Sequence, residues 1–101
     1  MNPIWIGKFE VGAPPENKFL EGDTGAFVWV AAQAPSAENL IQRMTHAMKE
    51  LGLTVIDSKN VQEVIDETTL SDSVFDLLPE AKRNSNSVIC GTWHRFTNFD
   101  A

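Results

Sequence analysis

The sequence predicts an α+β domain: a mainly antiparallel sheet of about four strands with two helices on one face, in the order β-β-α-β-α-β. Three observations carry this. Two segments rich in β-branched and aromatic residues, Ile4–Val11 and Ala26–Gln33, come first. The chain then switches to helical periodicity through Leu40 to Leu51. A second helical run and two further strand-like segments complete it, and each helix has one apolar face that a sheet can cover.

Ile4–Val11 reads as a strand with Trp5, Phe9 and Val11 on one face and Ile4 and Ile6 on the other, stopped by Gly12-Ala13-Pro14-Pro15. Glu16–Gly25, with Asn17, Gly22, Asp23 and Gly25 as turn formers, is a loop. Ala26–Gln33 reads as a central strand because both of its faces are apolar, Phe27/Trp29/Ala31 and Val28/Val30/Ala32. Pro35-Ser36 caps the first helix, whose stripe is Leu40, Ile41, Met44, Ala47, Met48 and Leu51, and Gly52 ends it.

Leu53–Ile56 begins a strand that continues or bends through Asn60 to Ile65. Its alternation breaks at Asp57-Ser58-Lys59-Asn60, where a bulge or kink is expected. The second helix starts near Ser71 or Asp72 with Val74, Phe75, Leu77 and Leu78. Pro79 removes a backbone donor in mid-pattern and should split it into two short pieces, the second over Glu80–Arg83. Asn84–Ser87 is a turn, Val88–Phe96 the last strand and Thr97–Ala101 a tail. A ferredoxin-like split-βαβ arrangement is the first topology expected.

At 101 residues the chain is read as one domain, residues 1–101. The longest apolar run, Ala26–Ala32, is far too short for a membrane span, and no secretory signal is legible at Met1–Lys8. Cys90 is the only cysteine, so no internal disulfide forms and a cytoplasmic location is expected. The net charge of −6 argues against nucleic acid and anionic membranes as partners.

No catalytic group is assigned. Cys90 and His94 could form a nucleophilic pair, but four strand residues separate same-face side chains by about 13 Å. Cys90 is therefore read as a small core hydrophobe and His94 as a rim residue. His46 lies opposite the apolar stripe of the first helix and should be solvated. No metal or cofactor is expected: the histidines and the cysteine lack ligand spacing, Asp57–Asn60 is not a calcium loop, and the glycines never cluster before a helix. Asp72/Asp76/Glu80, at i, i+4, i+8, reads as a solvated helix edge. Trp29 is read as core. Trp5 and Trp93 are core or an exposed aromatic anchor.

The charge distribution is more telling. Asp57, Glu63, Asp66, Glu67, Asp72, Asp76 and Glu80 face only Lys59 within residues 57–80, whereas the remainder of the chain is neutral. The whole net charge thus sits in a quarter of the sequence. Acidity serves solubility and helix capping, but clustering this complete also steers a basic partner.

In size, charge and the segment from Asp57 to Glu80 the chain resembles small bacterial immunity proteins, such as those of contact-dependent growth-inhibition systems, whose toxins are often basic nucleases. The resemblance implies an inhibitor that covers a basic active site, its acids mimicking the phosphates bound there. The residues it implies are Glu63, Asp66, Glu67, Asp72, Asp76 and Glu80, with Trp93 and Arg95 at the rim, in a monomer or weak homodimer. The alternative is a ligand-sensing or oligomerising α+β module.

Overall fold

A nine-residue antiparallel hairpin, β1 (Ile4–Gly12) and β2 (Gly25–Gln33), forms the spine of the computed structural model, which describes residues 2–14 and 16–96. β3 (Thr54–Glu63) lies antiparallel along the outer side of β1. The outer side of β2 takes two short pieces, β4 (Ile89–Cys90) and β5 (His94–Phe96). The sheet order is β3-β1-β2-β4, with β5 further along β2. The expected α+β class and antiparallel sheet are present. The tail expected at Thr97–Ala101 lies outside the described residues.

α1 (Ala37–Glu50) forms where its stripe requires. Ser36 Oγ accepts from Asn39 N at 3.1 Å, satisfying one of the unpaired first-turn donors. At the other end Gly52 N donates to Lys49 O and Leu53 N to Met48 O, the paired bonds of a Schellman turn. That turn needs a left-handed residue, and Gly52 supplies φ +76°. Asn17 Nδ2 reaches across from the 13–24 loop to Leu51 O at 2.8 Å, fixing that loop to the helix end.

The second helix is split as expected, but the break falls at Asp76-Leu77, ahead of Pro79, and the second piece starts two residues earlier than the expected Glu80. α2 (Asp72–Phe75) stops before the break, and α3 (Leu78–Arg83) places Pro79 in its first turn, where no helical donor is needed. The irregularity expected around Asp57–Asn60 is also present. The β1–β3 register shifts twice, each time by one extra β3 residue, and Asn60 takes φ +55°.

The helices do not share one face. Leu40, Met44 and Met48 of α1 pack with Phe9, Val11, Ala26, Val28, Val30 and Ala32 on one side of the sheet. Val74, Leu77, Leu78 and Ala81 of α2 and α3 pack with Ile6 and Ala31 on the other. The cause lies in β2: a strand apolar on both faces exposes one of them unless both are covered. The topology differs from a ferredoxin-like fold in the same way. β2-α1-β3, with β1 between its strands, is one split β-α-β unit. The α2–α3 connection instead crosses the opposite face to the far edge and delivers an antiparallel β4. Buried Gln33 fastens this second layer, its Nε2 donating to Ala81 O and Lys82 O at 3.0 Å each.

Candidate functional site

The acidic segment leaves the sheet at the end of β3 and returns over it as α2 and α3, and its members meet different fates. Asp66 caps a short 3₁₀ turn at Glu67–Thr69, its Oδ1 accepting from Thr68 Oγ1 at 2.6 Å and Thr68 N at 3.0 Å. Those bonds favour the ionised form and hold the carboxyl below its ordinary range. Glu67 pairs with Lys82 at 3.0 Å and Glu80 stands 3.9 Å from Arg83. The helix that carries the segment therefore folds two cations, just past its end in sequence, back onto it. Sequence reasoning bounded the segment at Glu80 and missed this partial neutralisation.

Glu63, Asp72 and Asp76 enter no ion pair among the described residues. Asp72, Asp76 and Glu80 are exposed, opposite the buried stripe of Val74, Leu77, Leu78 and Ala81. Asp57 stands apart, beside Glu10 in the β1–β3 ladder.

The segment also displays apolar side chains, which its acidity concealed in the sequence. Ile65 is 87% exposed and Phe75 47%. A groove of about 250 Å³ is lined by Ile65 together with Gln62, Glu63, Val64, Asp66, Thr69 and Leu70. It runs from the end of β3 to the residues before α2, so apolar and anionic groups alternate along one stretch of surface. Val64 and Leu70, which also line it, pack against the α2–α3 core.

Trp93 and Arg95 do not join the acids. Trp93 packs against the α1-side core, its ring 5.0 Å edge-on from Phe19. Arg95 lies on β5, with Glu21 at 3.5 Å and Asp23 at 3.7 Å. Its guanidinium is engaged with the 13–24 loop. Trp5 is half-buried on the α1 side, with its Nε1 enclosed and without a hydrogen-bond partner among the described residues, and Trp29 packs against the α2–α3 core. Neither Trp5 nor Trp93 forms an exposed anchor.

Cys90 and His94 are further apart in orientation than a continuous strand would make them. The last strand breaks at Gly91-Thr92-Trp93, so Cys90 pairs with Val30 but His94 with Phe27. Val30 and Phe27 point to opposite faces of β2, and so do the thiol and the imidazole. Burial pushes the Cys90 thiol up to about 11, leaving it protonated at neutral pH. His46 is solvated on α1, with Glu50 at 3.4 Å. Among the described residues no three His, Cys, Asp or Glu side chains are placed to hold a metal ion, and no helix is long and apolar enough to cross a membrane.

The fold and this surface define a small α+β domain whose segment 63–76 exposes both acids and apolar side chains. Comparison with protein-family models, curated proteins and solved structures returns no significant match.

Proposed function

We propose that this chain is a protein-binding domain, an inhibitor of immunity-protein type that covers the basic surface of a toxin such as a nuclease with residues 63–76. One observation carries the reading: the stretch holding the unpaired acids also exposes Ile65 and Phe75. Acids that serve solubility alone need no apolar companions. Exposed apolar groups rimmed by charge are the usual composition of a binding face. Glu63, Asp66, Asp72 and Asp76 supply the field that steers a basic partner, and Ile65 and Phe75 supply area that becomes favourable once water is expelled. Trp93 and Arg95 have no part in this face, and Glu67 and Glu80 contribute less because Lys82 and Arg83 offset them.

The test is affinity capture from the native host, with the wild-type chain beside Ile65→Ser and Phe75→Ser. Ile65 is 87% exposed and Phe75 47%, and circular dichroism checks that each variant keeps the fold. A single basic partner retained by the wild type and weakened at least about tenfold by each substitution supports the reading. A partner that binds all three chains alike would show that this face is not the interface.

A further inference from the structure

Among the described residues, α2 and α3 cover only part of the sheet face that carries them. Their apolar layer ends with Ile6 on β1 and Trp29 on β2. Beyond it, Lys8, Glu10, Phe27, Asp57 and Lys59 line a depression of about 170 Å³. The register sets like charges side by side across the β1–β3 ladder, Lys8 opposite Lys59 and Glu10 opposite Asp57. Such pairs oppose sheet formation. Within the chain they are only partly relieved. Lys59 Nζ stands 4.0 Å from Asp57 Oδ2, at the outer limit of an ion pair, and Lys8 Nζ lies 5.4 Å from the Phe27 ring centroid. The Phe27 ring in turn rests 5.2 Å from Phe96, giving the depression an aromatic floor.

The geometry points to a binding site here for a small zwitterion with an apolar body, of the size and kind of a free α-amino acid. Lys8 and Lys59 take its carboxylate, Glu10 and Asp57 take its ammonium group, and Phe27 takes the apolar remainder. Each like-charged row, only partly relieved within the chain, gains a further counter-charge through charge-assisted hydrogen bonds. The rows lie two strand residues apart, roughly 7 Å, a distance that lysine and glutamate side chains close onto one small molecule. A simple anion would still face the two acids and a simple cation the two lysines, so both charges are required. The volume sets the size, since drug-sized ligands occupy pockets of about 300 Å³ or more.

The test is an NMR titration of backbone amides in the full chain. L-leucine and L-phenylalanine are the probes, with N-acetyl-L-leucine, which lacks the cation, and L-leucinamide, which lacks the anion. Saturable shifts centred on Lys8, Glu10, Phe27, Asp57 and Lys59 are expected with either amino acid, and binding at least about tenfold weaker with each derivative. Lys59→Gln and Asp57→Asn, both at exposed positions, should each weaken binding by about tenfold while the rest of the spectrum is unchanged. Absence of saturable shifts with both amino acids, equal binding of a derivative, or shifts centred elsewhere would overturn the proposal.

Discussion

At the scale of single residues, two ionisable groups tie the chemistry of the chain to its stability. The hydrogen bonds from Thr68 lower the Asp66 pKa below its ordinary 3.8, so the folded state binds that proton less readily than the unfolded one. Its contribution is therefore present above that ordinary value and fades as the pH falls through the lowered one. Asp66→Asn should lose less stability than the wild type as the pH falls below that ordinary 3.8, read from thermal melts. Cys90 has the opposite sign. Its pKa is raised from 9.0 to about 11, so the stability it confers is complete below 9 and is lost as the pH rises through about 11. The loss is on the order of 2–3 kcal/mol, and Cys90→Ala should abolish that pH dependence. Iodoacetamide should accordingly modify Cys90 in the folded chain far more slowly than in the denatured chain.

At the scale of elements, the sheet depends on close approaches that only particular residues allow. A Cβ on Gly25 would lie 2.5 Å from the Phe96 ring and 2.6 Å from Val11 O, and the backbone oxygen cannot give way. Gly25→Ala should cost about 1–3 kcal/mol in denaturant unfolding and should disturb β5 first. α3, at six residues, has no independent stability and is held by Leu78, Ala81 and the Gln33 bonds. Leu78→Ala, which opens a cavity under it, should cost about 2–5 kcal/mol.

Much at this scale was legible in the sequence, because local chemistry decides it. The stripe and caps fix α1, Pro79 requires the second helix to restart just ahead of it, and Asp57–Asn60 breaks the strand alternation. The two-sided placement of the helices was also encoded, in the apolar residues on both faces of Ala26–Gln33, but one-sided sheets are common enough to mask it. The turn of His94 away from Cys90 was not legible. It follows from one extra residue opposite β2, and a register has no signature in a single strand.

At the scale of the whole molecule, one side of the sheet packs against α1 and the other carries α2 and α3 beside the charged depression. The residues of the acidic segment were readable because charge is visible in a sequence, whereas their pairing with Lys82 and Arg83 was not. Nor was the exposure of Ile65 and Phe75, since apolar residues in a strand end and a helix are ordinarily taken as core. The proposed binding face is therefore narrower than the charge alone suggests: Glu63, Ile65, Asp66, Asp72, Phe75 and Asp76.

The central claim is that this face meets a basic protein. It is tested most directly by measuring the affinity of the captured partner against salt concentration, for the wild type and for the combined Asp66→Lys, Asp72→Lys, Asp76→Lys variant. The wild type should bind more weakly as salt rises, and the charge-reversed chain should bind at least about a hundredfold more weakly at low salt, with a flattened salt dependence. Equal affinity and an unchanged salt dependence in the variant would contradict the account.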